Sequence, residues 1–503
     1  MRIIPELRET ASKLSDNRAL VLGDREVTFS ELVDNVNRLT GYFRSIGIQS
    51  GDHIAIWAPN CIEFVYIYFA VLQVGAVGIP IDVRLGKEGV LSVLEETKPK
   101  VFFTISPLLT RMLGGIDRIG DEISVVMIDR PVEGAKHLAE AIAAQQPDDT
   151  IEPKKETDTA LILYTSGTSG ASKGVMLAYN HLELFPEAMQ AYIRCDSNDS
   201  YLCVLPMSHI SGPILCNSLA LLGSSIVIVD SMNPEVILEA IERGKPTLFH
   251  CVATIFNFLL LSKSFTKRDL GSLRLISMMG EPIPLWLMHK YNELLPNAVI
   301  LQGYGLTETS PQVTLVPVDE AGDKMGSIGK VVPRCEVAIV DKDGKPQPAR
   351  VVGEIIVRGP QVMKGYYLNP EKTDEVIRDG WFHTGDLGWM DEDGFFYHAG
   401  RADEVILTGG LMVYPPEVEQ VISQHPDVIE VVVDGLPDPK RGQFVRARVV
   451  LKPNSTVKPS DLLAFTRPHL ESYKAPRKIE IVDSLAKSGT GKVQRKENSG
   501  NGQ

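Results

Sequence analysis

The sequence predicts an α/β protein of several units, and three observations lead there. At 503 residues the chain is long enough for about three domains at the usual size. From about Val27 to Val229, apolar helical patterns alternate with short β-branched runs, which indicates a mostly parallel sheet covered by helices. Between Gly326 and His398 the texture changes to short strands separated by Asp-Gly turns, the pattern of a hairpin-rich β subdomain.

Taken in order, the first strands are HIAIWAP, VFFTI, VVMID, ALILYTS and SIVIVD, and the alternation resumes through PTLFHCV, LRLISMMG and AVILQGYG. In the β-rich stretch, EVAIVD, GEIIVRG and GFFYHAG alternate with turns at Asp343-Gly344, Asp379-Gly380 and Asp393-Gly394. A further α/β module begins near Arg401, with a helix near PPEVEQVISQH, strands EVVVDG and VRARVVL, and a helix near SDLLAFTRPHL. Two uncharged stretches, Phe64 to Ile81 and Ile210 to Val229, approach the length of a membrane span. Their internal Gly and Pro residues predict instead a buried helix running into a strand.

Composition excludes several classes. Hydrophobic residues make up 44% and charged residues 23%, so disordered, collagen-like and disulfide-scaffold chains fall away and a soluble folded protein is expected. A net charge of −13 disfavours nucleic acid or anionic lipid as a partner, although the tail from Glu471 to Gln503 is locally basic. Six scattered cysteines without a C-x-x-C pair argue against a zinc ribbon or a secreted framework and point to a reducing, cytoplasmic setting. The N-terminal segment has no apolar core of a signal peptide, and the C-terminal NGQ is no peroxisomal address. Nothing marks an oligomeric state.

The sharpest local signal is Y-T-S-G-T-S-G-A-S-K-G, Tyr164 to Gly174, directly after an apolar strand. Small residues let backbone N–H groups close around phosphate oxygens, the Ser166 and Thr168 hydroxyls add donors, and Lys173 adds charge. It is not a Walker A loop, because Ser172 stands where the second glycine belongs. L-P-M-S-H-I-S-G (Leu205 to Gly212), Q-G-Y-G-L-T-E-T (Gln302 to Thr309), W-F-H-T-G-D (Trp381 to Asp386), G-R-A-D-E (Gly400 to Glu404) and S-G-T-G-K-V-Q-R (Ser488 to Arg495) follow in that order. Glu308 beside Thr307 offers a carboxylate and a hydroxyl suited to Mg²⁺ against triphosphate oxygens. Asp386 offers a carboxylate that can accept two hydrogen bonds, and Arg401 a guanidinium that can donate several.

Together the six motifs resemble the core motifs of the adenylate-forming superfamily, most like its AMP-forming acyl-CoA synthetases, over nearly the whole chain from about Thr28 to Arg495. The resemblance implies a large N-terminal domain, residues 1–400, of two doubly wound α/β subdomains plus a small distorted β-barrel subdomain at about 326–398. A small mobile α+β C-terminal domain, residues 401–503, follows. It implies a nucleotide site formed by Thr165, Ser166, Gly167, Thr168, Lys173, Gly280, Glu281, Pro282, Gln302, Gly303, Tyr304, Thr307, Asp386, Arg401 and Lys492, with adenine between Tyr304 and the Gly280 to Pro282 segment. Lys492 looks like the catalytic lysine, whose ammonium offsets the charge gathered when a carboxylate attacks the ATP α-phosphate. Thr307 and Glu308 are further catalytic and Mg²⁺-binding candidates, Asp403 matches the domain hinge, and Gly409 and Gly410 would admit the pantetheine arm of CoA. His209, Met278, Met279 and Gly303 would border the acyl pocket, with His209 at its mouth.

The implied reaction converts a carboxylate and Mg-ATP to acyl-AMP and pyrophosphate, after which the CoA thiol gives acyl-CoA and AMP. Met278 and Met279 precede Gly280 where relatives often carry smaller residues, so a shortened pocket and a short-to-medium, cyclic or aromatic acid are expected. The alternative is an adenylation enzyme that loads a separate carrier protein. A catalytically silent nucleotide-binding protein would be expected to lose Lys492, Glu308 or Asp386, and all three are present.

Overall fold

The computed structural model describes residues 2–120, 122–165, 173–487, 493 and 495. One sheet has eight strands, in spatial order Gly365–Tyr366, Lys173–Ala178, Thr159–Thr165, Val77–Pro80, His53–Trp57, Val101–Thr104, Ser124–Met127 and Lys136–His137. A second has nine: Lys330–Val331, Thr314–Leu315, Val299–Tyr304, Leu275–Met279, Leu248–Cys251, Ser200–Cys203, Ser225–Ile228, Arg18–Leu22 and Arg25–Thr28. The interior pairs of both run parallel, as the alternation of helices and β-branched runs requires. The hairpin Arg18–Leu22 with Arg25–Thr28 extends the second sheet and lies before the region where the sequence pattern becomes regular.

Local chemistry starts the helices. Thr28 and Glu31 form a capping box: the Glu31 N–H donates to the Thr28 hydroxyl and the Thr28 N–H to the Glu31 carboxylate. The helix Phe29–Ser45 then buries Phe29, Leu32, Val36, Leu39 and Phe43, the spacing of one helical face. Both uncharged stretches become a helix followed by a strand, Ile62–Gln73 into Val77–Pro80 and Ser211–Leu222 into Ser225–Ile228. Each helix is apolar all round because one continuous core, drawn from both large sheets, surrounds it. The Tyr68 hydroxyl donates to Asn217 Oδ1 at 2.7 Å and ties the two helices inside that core. No helix among the described residues is long and apolar enough to cross a membrane.

The β-rich stretch forms a five-stranded antiparallel sheet of Glu336–Val340, Gly353–Arg358, Ile377–Arg378, Trp381–Met390 and Phe396–Arg401. Past Arg401, the 3₁₀ turn Ala402–Glu404 leads into an α+β unit with its own core of Val418, Ile422, Val433, Ala447 and Leu462. Its five strands are Ile406–Thr408, Leu411–Val413, Val428–Asp438, Gly442–Leu451 and Lys478–Ile481, and its helices are Pro415–Ile422 and Pro459–Thr466.

Candidate active site

Thr165 and Lys173 face each other across the antiparallel strands Thr159–Thr165 and Lys173–Ala178. Ser166, Gly167 and Thr168, between them, lie outside the described residues, as does Lys492. The short strand Gly365–Tyr366 pairs with Met176 and Val175, next along from Lys173. That pairing puts the Lys173 ammonium 5.5 Å from the centre of the Tyr366 ring, a cation over a π face. The Tyr366 hydroxyl in turn donates to Glu308 Oε1 at 3.0 Å. Burial and the Glu308 carboxylate push this phenol up, so it stays a donor at neutral pH. Glu308 sits in the 3₁₀ turn Thr307–Thr309, just past the end of Val299–Tyr304, and the Met363 N–H holds its carbonyl at 2.8 Å. Sequence reasoning missed Tyr366; its signal was the K-G-Y-Y run at Lys364 to Tyr367.

A second cluster joins three strands. Asp386 and Arg401 are cross-strand partners, and Arg401 Nη1 donates to Asp386 Oδ1 and to the Thr384 carbonyl, both at 3.1 Å. The Tyr304 hydroxyl donates to Asp386 Oδ2 at 2.6 Å, and His398 Nε2 lies 3.7 Å from Oδ1. Burial pushes the Asp386 carboxyl up, but His398, Arg401 and Tyr304 outweigh it and hold the group below its ordinary value. Each carboxylate oxygen has two lone pairs, so accepting from Tyr304 and Arg401 leaves one on each for a ligand hydroxyl.

Around the strand Leu275–Met279 the structure divides residues that the sequence reading grouped. Neighbours on a strand point to opposite faces. Met278 is fully buried among Phe249, Cys251, Ile276 and Met288, whereas Met279, paired with Gly303, lies on the other face. This corrects the expectation that both methionines border one pocket: Met278 is core. Gln302 is paired with Met278, and its amide donates to Met288 Sδ at 3.0 Å, so that group is engaged inside the protein. Gly303 has a packing reason to be glycine, since a Cβ there would stand 2.5 Å from Gln312 Nε2 and 3.2 Å from the Thr314 carbonyl oxygen. Gly280, Glu281 and Pro282 follow the strand, and Glu281 Oε1 accepts from the Thr254 N–H at 2.9 Å, tying the segment to the first turn of the helix Ala253–Leu261.

His209 belongs to a cluster that no motif announced. Its Nε2 lies 3.1 Å from Asp82 Oδ2 and 3.0 Å from Arg84 Nη2. A protonated Nε2 donates to Asp82, and an unprotonated one accepts from Arg84, so the two contacts alternate with the tautomer. Burial pushes the Asp82 carboxyl up, yet hydrogen bonds from His209 and Arg84 outweigh it and bring the group to about 2.

At the domain junction, Asp403 lies in the 3₁₀ turn Ala402–Glu404 with Oδ1 3.5 Å from Arg401 Nε. Gly409 and Gly410 form the two-residue turn between Ile406–Thr408 and Leu411–Val413, both at positive φ (61° and 82°), the geometry of a type I′ hairpin. A Cβ at either would meet nothing within 4 Å, and Leu407, Leu411 and Met412 around the tip are exposed. Arg495, three residues after Lys492, is half-buried and pairs with Glu404, in the same 3₁₀ turn as Asp403, and with Glu419. Lys487 pairs with Glu430 at 2.6 Å and lies 4.3 Å over the Phe258 ring, and Asn257 Nδ2 donates to the Ile429 carbonyl at 2.6 Å.

Two carboxylates near strand ends, Glu308 and Asp386, are thus each held by a tyrosine, Tyr366 and Tyr304, and a separate α+β unit follows Arg401. The AMP-binding enzyme model matches residues 7–367, and the AMP-binding enzyme C-terminal domain model matches residues 417–492. The chain belongs to the AMP-binding enzyme family. It is 31% identical to a long-chain-fatty-acid–CoA ligase of Bacillus subtilis, over 97% of this chain and 92% of that one. It is likewise 31% identical to a feruloyl-CoA synthase of an Amycolatopsis species, over 94% of each. A solved anthranilate CoA ligase in complex with anthranoyl-AMP superposes with a TM-score of 0.91 at 27% identity, covering 98% of this chain and 95% of that one. The family member described here is an AMP-forming acid–CoA ligase, with a carboxylate, ATP and CoA as substrates.

Proposed function

We propose that this ligase activates a short-to-medium aromatic or cyclic carboxylate in the cytoplasm, with Mg²⁺ accompanying ATP. The observation that carries the acid class is Met279, whose half-buried side chain shares a sheet face with Gly303; at the border of the acyl site it would take up length that an extended chain needs. The feruloyl and anthranilate enzymes among its relatives support the same class.

Asp386 binds the ribose hydroxyls with its two remaining acceptor sites, and Tyr304 fixes that carboxylate while offering its ring to adenine. Lys173 and the loop before it hold phosphate oxygens, and Lys492 stabilises the charge that develops as the acid attacks the α-phosphate. Asp403 is the hinge, and the Gly409-Gly410 tip admits the thiol arm for the second step. A single carboxylate beside a hydroxyl fits Mg²⁺, which draws most of its ligands from substrate phosphates and water. When bound at Glu308 and Thr307, the ion neutralises triphosphate charge.

The test is a panel of acids from acetate to palmitate with benzoate and cyclohexanecarboxylate, assayed for AMP release with and without CoA. CoA-dependent turnover of the ring acids is expected. Preference for palmitate overturns the acid class, and pyrophosphate exchange without CoA consumption moves the acceptor to a carrier protein.

A further inference from the structure

Below Met279 and Gly303, on the same face of the nine-stranded sheet, lie two polar side chains without partners. His250, on the strand Leu248–Cys251, is in register with Ser277, and Ser277 precedes Met279 by two residues, a depth of about 7 Å along a strand. Phe249, Ile276 and Met278 turn to the opposite core, so His250 and Ser277 share the Met279 face. His250 is 9% exposed, Ser277 is wholly buried, and neither ring nitrogen of His250 nor Ser277 Oγ has a hydrogen-bond partner among the described residues. Phe185 meets the imidazole edge-on at 5.9 Å and Tyr201 stacks on it at 5.5 Å, which holds the ring in place.

Buried polar groups without partners are costly and rare, and a ligand that supplies the missing bonds accounts for them. Burial, with the charge of Arg274, lowers the imidazole to about 4, so near neutral pH one nitrogen donates and the other accepts. A second carboxylate on the substrate would be buried against a neutral ring without a countercharge, whereas an uncharged hydroxyl finds a matching partner.

We infer that His250, with Ser277 beside it, is the polar floor of the acyl site and selects acids that carry an uncharged hydrogen-bonding substituent, a ring hydroxyl, remote from the reacting carboxylate. The depth below Met279 is the span of a single aromatic ring. This deepens the acid–CoA ligase reading and rests on it.

Matched pairs test it: benzoate with 4-hydroxybenzoate and cinnamate with 4-hydroxycinnamate, read as kcat/KM for CoA-dependent AMP release. The wild-type protein should favour the hydroxylated member of at least one pair by about tenfold, the worth of one well-made neutral hydrogen bond. His250→Phe, which keeps the ring packing, should abolish that ratio, and His250→Gln, which keeps a donor and an acceptor, should restore part of it. Ser277→Ala reads the same ratio should the His250 variants fail to fold, as judged by thermal melting. A wild-type protein that turns over ring acids with no hydroxyl preference overturns the inference alone. His250→Phe lowering both members by one factor also overturns it. No turnover of any acid removes the ligase reading and the inference together.

Discussion

The nucleotide side of the site and the unit beyond Arg401 are held in different ways. On the nucleotide side, side chains from separate strands bond one another: Tyr304 and Arg401 converge on buried Asp386, and Lys173 meets Glu308 through Tyr366. Among the described residues beyond Arg401, contacts with the large domain include a hydrogen bond, Asn257 to Ile429, and a cation over a ring, Lys487 on Phe258. The contrast fits the proposal that the second unit rotates about Asp403 between two half-reactions. Charge stabilisation needs groups fixed in advance, whereas presenting a new face for the second step needs contacts that break cheaply.

Five substitutions sharpen or break that contrast. Asp403→Pro should have the largest effect. Proline's fixed φ suits the present 3₁₀ turn but opposes rotation, so conversion of preformed acyl-AMP to thioester should fall by about a hundredfold while pyrophosphate exchange persists. An unchanged second step would remove Asp403 from the hinge. Next, Met278→Ala should cost about 2–5 kcal/mol of stability with no change in acid preference, because it empties a core position. Met279→Gly should widen acceptance towards bulkier acids, and identical acid profiles for the two variants would contradict the division of faces.

Asp82→Asn isolates the cluster around His209. The carboxyl moves from an ordinary 3.8 to about 2 in the fold, so it contributes stability above pH ~4 that is lost as pH falls through about 2. Allowing for solvent screening, that contribution is about 1–2 kcal/mol at pH 7. The melting difference between wild type and Asp82→Asn should therefore shrink from pH 7 to pH 3, and a constant difference would show that the pairing is not the cause. Lys487→Ala should have the smallest effect, slowing pyrophosphate exchange by about two- to fivefold, as one partly exposed cation contact warrants. A larger loss would make this contact a fixed part of the site.

How much of this was legible in the chain follows the same divide. Runs such as HIAIWAP and LRLISMMG became the strands His53–Trp57 and Leu275–Met279, because short apolar segments bounded by turn signals suit buried strands. Motifs singled out Asp386, Tyr304 and Glu308, since each stands in a short run of unusual composition, W-F-H-T-G-D or Q-G-Y-G-L-T-E-T. Pairings across long separations left no local trace: Asp82 with His209, Arg495 with Glu404, and Lys487 with Phe258 depend on folding. Tyr366 enters through a strand of two residues, too short to show a period. The opposite faces of Met278 and Met279 follow from the two-residue strand repeat, but a resemblance to small residues at both positions hid it. His250 was passed over because a lone histidine in an apolar run signals nothing until its missing partners are seen.

The central claim, a fixed nucleotide site served by a catalytic lysine on a separate unit, is tested most directly by assaying the two half-reactions of Lys492→Ala separately. Pyrophosphate exchange should fall by about two to three orders of magnitude, as for loss of one group that stabilises transition-state charge, while preformed acyl-AMP is still converted by CoA. Equal loss of both half-reactions would contradict the account.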